Sequence, residues 1–179
     1  TDPKQRIALL NQLAEALSGK DIQQAIRLAQ QASQLSLQGA FVDRAYLRGL
    51  AVSQYQLGQF LREVNRYDHA IQHLLEAQRL FEQVGTPLEK SKTLNLLGLN
   101  YLSLSAYAES LEYFLGALKI FHELGEKNQE AEVLNNIGQL YLFLADYQKA
   151  SSYLFRSLDS AKQTGHKRCE ADALNNLCS

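Results

Sequence analysis

Proline occurs only twice in the 179 residues, at Pro3 and Pro87. Both stand where a helix would begin, the position at which a missing backbone N–H costs least, so an all-α reading follows. Cysteine is equally scarce: Cys169 and Cys178 lie nine apart, which fits neither a disulfide framework nor a metal knuckle and predicts reduced thiols of a cytoplasmic protein. An excess of one charge is missing too. The 18 Lys+Arg are scattered among 19 Asp+Glu for a net charge of -1, which excludes the basic footprint of a nucleic-acid binder. Hydrophobic residues make up 46%, yet no apolar run approaches the roughly 20 residues of a bilayer span, so no membrane insertion is expected. Thr1 opens no signal or transit pattern, and the missing initiator Met is expected of a fragment.

What the sequence does have is a period. Gly58, Gly98 and Gly138 are forty residues apart, Tyr67, Tyr107 and Tyr147 follow them, and Gly85, Gly125 and Gly165 close each unit. A fixed period of this size marks one supersecondary unit stacked on copies of itself, each burying its apolar face against its neighbours. Superposed units give a small column (Ala51, Ser91, Ala131, Ala171), then an apolar one (Leu94, Leu134, Leu174) that Gln54 breaks, then Leu57, Leu97, Ile137 and Leu177. The steps of three and four are those of one helical face. Glycine inside a helix costs about 1 kcal/mol relative to alanine, so three in register predict tight crossings where a neighbouring helix backbone leaves no room for a side chain. Short links at Asn65-Arg66, Ser105-Ala106 and Ala145-Asp146 lead into second helices headed by the tyrosines. There small Ala70, Ser110 and Ala150, large Leu74, Phe114 and Leu154, and small Ala77, Ala117 and Ser157 alternate, before a glycine stop that accepts the left-handed conformation.

The ends are less regular. Residues 1–39 read as an atypical capping pair: Asp2 and Pro3 start a helix whose face is Ile7, Leu10, Leu13 and Leu17, and a second helix runs from Asp21 through Ala25, Ala29 and Ala32 to near Gly39. Repeats then occupy 40–85, 86–125 and 126–165, and 166–179 supplies the first helix of a truncated further repeat, all within one domain over 1–179. The stretch from Ala40 to Asn65 predicts an elongated helix, in which Gly49 is a second candidate for the crossing glycine.

Leu134-Asn135-Asn136-Ile137-Gly138, Tyr141, Asp146-Tyr147, Ala150 and Ser157 resemble the tetratricopeptide repeat over residues 40–179. The unit here is 40 rather than 34 residues, its helix ends on Gly instead of Pro, and Leu replaces the bulky aromatic at the first apolar position. With its long unit and Leu-Asn-Asn it is similar to the variant of kinesin light chains, Pins-type adaptors and bacterial regulatory arrays. The resemblance implies a right-handed superhelical solenoid of antiparallel helix pairs, not an enzyme, whose first helices line a concave groove. The groove positions are Tyr55, Asn95, Asn135 and Asn175, then Gln59, Leu99 and Gln139, with Arg62, Leu102, Leu142 and Phe143 a turn further on and Lys92 as a second basic candidate. Asparagine both donates and accepts, so such a column can pair with peptide backbone as a sheet edge does; asparagine ladders in the resembled families do so, which implies that role for Asn95, Asn135 and Asn175. The alternatives are that these amides bridge successive helices, as expected for Asn136 and Asn176, and that Leu99, Leu102, Leu142 and Phe143 belong to the core.

The expected function is a protein-interaction module that binds a peptide or helical segment, of a partner or of its own output domain, as the sensory part of a larger bacterial signalling protein. A eukaryotic-type cargo or polarity adaptor and a structural spacer that forms homodimers are the alternatives. No cofactor is implied. His69 and His73 have the i, i+4 spacing of a zinc pair but lack a third ligand and are expected on a solvated outer face. Cys169 beside His166 lacks an orienting acid, and Cys178 is expected to be packed at a helix crossing. Glu76, Arg79, Glu82, Lys119, Glu123, Lys149 and Arg156 read as solvated surface.

Overall fold

The computed structural model describes residues 2–38 and 43–178, which contain helices and no strand. In chain order these are α1 Pro3–Leu17, α2 Ile22–Leu37, α3 Arg44–Glu63, α4 Tyr67–Val84, α5 Pro87–Ser103, α6 Tyr107–Leu124, α7 Lys127–Phe143, α8 Tyr147–Thr164 and α9 Lys167–Leu177. They fall into two compact units, one up to Asn100 and one from Tyr101 onward. The expected end of α2 near Gly39 and the expected start of the long helix at Ala40 lie outside the described residues.

Helix starts follow local chemistry. Asp2 accepts from Lys4 N with Pro3 in the first turn, Asp21 accepts from Gln24 N, Asp43 from Ala45 N and Asp146 from Lys149 N. Each satisfies one of the amides that the first turn leaves without a partner. The stops at Gly85, Gly125 and Gly165 have φ of 69°, 72° and 71°, the left-handed cap the repeat predicts. The links between paired helices use the same conformation without glycine: φ is 59° at Asn65, 59° at Ser105 and 55° at Ala145. The two bonds that close α7, Ala145 N to Leu142 O and Asp146 N to Tyr141 O, hold Ala145 there although its Cβ opposes it. Ala145→Gly should therefore raise stability by about 0.5–1 kcal/mol, the relieved strain less the added freedom of the unfolded chain; a thermal melt measures it.

In the first unit the core has two centres. Ala14, Ala25, Ala29, Leu57 and Phe60 join α1, α2 and α3, and Leu50, Ala51, Ala77, Leu80 and Phe81 join α3 to α4. The alternation of small and large residues is realised: Ala70, Leu74 and Ala77 of α4, Phe114 and Ala117 of α6, and Ala150 and Leu154 of α8 are at most 1% exposed. The glycines fit the large members. A Cβ on Gly58 would overlap Leu74 and stand 3.1 Å from Ala70 O, and one on Gly138 would lie 2.6 Å from Leu154 Cδ2 and 3.4 Å from Ala150 O. The obstacle is first a leucine side chain and only then backbone, which refines the expectation of a bare backbone crossing. Gly49 is a separate close approach, toward Ile7 Cγ2 (2.7 Å) and Ser36 Oγ (3.2 Å), so α3 holds one glycine facing α1 and α2 and another facing α4.

Three packing expectations need correction. The α1 face is Ile7, Asn11 and Ala14, whereas Leu13 is 49% exposed. A polar seam rotates the helix: Asn11 donates to Gly49 O and accepts from Ser53 Oγ, and its carbonyl accepts from Gln56 Nε2. In α9 the buried residues are Cys169 and Ala173, Ala171 is exposed and Leu174 is 44% exposed, because among the described residues no following helix covers them as α8 covers α7. Cys178 is the exposed C-cap of α9, not a packed crossing residue.

Candidate functional site

The first helices of the pairs in the first unit are α1, α3 and the start of α5, and a recess of about 170 Å³ opens among them. Val52, Tyr55, Gln56, Gln59 and Phe60 of α3 and Phe81 of α4 form its body, and Glu15 of α1 with Glu89 and Lys92 of α5 completes the rim. The helical steps of three and four from Val52 to Gln59 bring these side chains to one strip of α3. Phe60 and Phe81 are each 1% exposed, and Tyr55 meets Phe81 edge-on at 6.5 Å and 65°. The aromatic floor is thus fixed from below while polar groups ring the mouth. A second hollow, of about 420 Å³, runs between α1 and α3 and shares Glu15, Val52 and Gln56 with the first.

Of the residues expected to bind peptide, the structure brings Tyr55, Gln59 and Lys92 together at this recess. Arg62 is half-buried with its Nε lacking a partner, and Asn95 and Leu99 are half-buried on α5. In the second unit Leu102, Gln139 and Leu142 are half-buried and Asn175 is exposed. Phe143 is 58% exposed and stacks on Tyr107 at 6.4 Å. Asn135 is different: it is 9% exposed and accepts a 3.0 Å hydrogen bond from Asn176 Nδ2. That bond joins α7 to α9, the helix-bridging role expected of Asn176, and it occupies one of the amide oxygens of the ladder. Asn135→Ala should cost about 0.5–1.5 kcal/mol for this one bond, read as a lower melting temperature.

The repeat also carries pairs that sequence reading passed over. Tyr101 stacks on Tyr113 at 5.3 Å and Tyr141 on Tyr153 at 5.6 Å, with Lys149 over Tyr141 and Arg156 over Tyr153. The signal was there, since both tyrosines recur forty residues on. The equivalent of Tyr113 in the first unit is His73, and the equivalent of Leu94 is Gln54. These two replacements explain each other: His73 Nδ1 and Gln54 Oε1 are 2.6 Å apart, and Gln54 Nε2 donates to Ser33 Oγ. With the amide oxygen turned toward the ring, Nδ1 is the donor of this pair.

Tetratricopeptide-repeat family models match residues 51–83 and 89–163, together more than half of the chain. The chain belongs to the tetratricopeptide repeat family. No curated protein matches it. Among solved structures this tetratricopeptide array is similar to aspartyl phosphate phosphatase F from Bacillus subtilis, at 20% identity and a TM-score of 0.87 over 97% of this chain and 44% of that one. It is similar also to a Rap protein complexed with competence and sporulation factor, at 20% identity and 0.85 over 99% of this chain and 52% of that one. A STAND protein with a tetratricopeptide repeat sensor from Pyrococcus horikoshii gives 18% identity and 0.83 over 99% of this chain and 27% of that one. The chain therefore spans about half or less of the length of these proteins, and at such identities the likeness is one of fold.

His73 corrects the expectation of a solvated imidazole pair. Burial, and then the nearby His69, hold its pKa below the ordinary histidine value. Among the described residues no group of three His, Cys, Asp or Glu could hold a metal ion. A histidine depressed in the fold binds fewer protons there than in the unfolded chain, so its contribution is complete above the unfolded value of about 6.5 and is lost as pH falls through the folded pKa. The melting temperature should drop on acidification below pH about 6.5, and His73→Gln should flatten that part of the profile. Cys169 is 2% exposed, 3.4 Å from Ser157 Oγ, and burial pushes its thiol up. It suits a packing role better than that of a nucleophile.

Proposed function

We propose that the chain is a protein-interaction module whose first helices receive a peptide or helical segment of a partner. The observation that carries this reading is the recess of the first unit. At about 170 Å³ it is smaller than the roughly 300–1,000 Å³ of small-molecule sites, and its aromatic floor with a polar rim suits one anchoring side chain of a longer chain. Tyr55, Gln59 and Lys92 are its proposed contacts, with Arg62, Asn95 and Leu99 along the same unit. In the second unit Leu102, Gln139, Leu142, Phe143 and Asn175 are proposed as contacts of its own, with Asn135 limited by its bond to Asn176.

A place in a larger regulatory protein is supported by the company the fold keeps: a Rap protein complexed with a competence and sporulation factor, and a STAND protein whose repeats are described as a sensor. In that setting a bound segment would bias two arrangements of the array and an output domain would respond. A cargo adaptor for acidic peptides asks for a basic wall, and the recess instead sets Glu15 and Glu89 beside Lys92. The reading is tested by panning a displayed random-peptide library on the chain and on Val52→Trp, which fills the recess. Enriched peptides should bind the filled variant at least tenfold more weakly at an unchanged melting temperature. Equal binding to both, or no enrichment, contradicts it.

A further inference from the structure

The recess of the first unit has the size and the wall of a socket for one ring. An apolar cavity of about 150 Å³ holds a benzene molecule, and the recess measures about 170 Å³. Its lining is graded in exposure. Phe60 and Phe81 are each 1% exposed and back the wall, whereas Val52, Tyr55 and Gln59 are half-buried and offer the surface that an entering group touches. Val52 and Tyr55 both pack against the core cluster shared by α3 and α4, and Tyr55 meets Phe81 edge-on at 6.5 Å, so its ring is a fixed surface. The charged residues of the recess carry both signs, Glu15 and Glu89 with Lys92. The fit inside, rather than a net charge at the rim, therefore selects the anchor.

We propose that the anchor of the bound segment is a phenyl ring, as phenylalanine carries, seated against Val52 and Tyr55, a reading that rests on the recess being the peptide site. A flat ring on an aromatic wall makes an offset or edge-on contact beyond the area it buries, a gain of up to about tenfold in affinity. A saturated or branched aliphatic side chain fills similar space without that contact. An indole brings a second fused ring, and a space the size of one benzene leaves part of it at the mouth.

The test uses acetylated, amidated hexapeptide libraries with one position fixed as phenylalanine, its saturated analogue cyclohexylalanine, tryptophan or alanine, read by fluorescence polarisation against the full chain. The phenylalanine set should bind at least tenfold tighter than the alanine set and at least threefold tighter than the cyclohexylalanine and tryptophan sets. Tyr55→Leu should bring the phenylalanine and cyclohexylalanine sets within twofold of each other while both still bind; if circular dichroism shows that variant unfolded, the comparison on the parent chain decides alone. Cyclohexylalanine or tryptophan binding as tightly as phenylalanine overturns the assignment, and so does a phenylalanine advantage that survives Tyr55→Leu. If all sets bind alike and all are lost in Val52→Trp, the recess remains the peptide site and only the phenyl anchor falls; if none binds, both fall.

Discussion

Gly138→Leu should destabilise the array by about 1–3 kcal/mol, the usual range for overpacking a filled core. Even the first added carbon would meet Leu154 Cδ2 and Cγ at 2.6 Å. Leu154 is 1% exposed, so it has no empty rotamer to move into. The mechanism predicts more than a loss: Leu154→Ala alone should cost about 2–5 kcal/mol, but in the Gly138→Leu background it removes the clash. The double variant should be more stable than the two single costs summed, by at least about 1 kcal/mol of coupling. Strict additivity in denaturant melts would show that the glycine and the leucine do not share one space.

Phe81→Ala should have the largest single effect in the first unit, about 3–5 kcal/mol for a buried aromatic. Its ring is packed with Leu50, Ala51, Ala77 and Leu80 and meets Tyr55 edge-on. In a repeat array each unit leans on its neighbours, so the loss should be read residue by residue: amide exchange should accelerate most in α3 and α4. Because Phe81 also forms the floor of the recess, any peptide selected on the parent chain should lose affinity. An exchange pattern unchanged in α3 and α4 would contradict the packing described.

The fold was legible because a stacked unit writes its packing rules three times. Glycine at 58 and 138 and leucine at 74 and 154 fit each other, and the period alone predicts both columns. Where the period lapses, so does the reading. α1 has no copy elsewhere, and its buried Asn11 is explained only by partners 38 to 45 residues away. Gln54 looked like a flaw in an apolar column until His73 was found against it, since a pair of compensating replacements is invisible when each column is read alone. The site was legible in its α3 and α5 members, which lie on a repeating face. Glu15 was not, because its place at the recess depends on how the irregular α1 rests on α3.

The central claim, that a partner segment lodges in the recess of the first unit, is tested most directly by photocrosslinking. A benzophenone amino acid placed at Gln59, on the recess wall, is compared with one at Arg79, on the exposed face of α4, using a peptide selected by display on the parent chain. The account predicts a peptide adduct from position 59 and none above background from 79. An adduct from 79 with none from 59 would place the partner on the outer helices and contradict it.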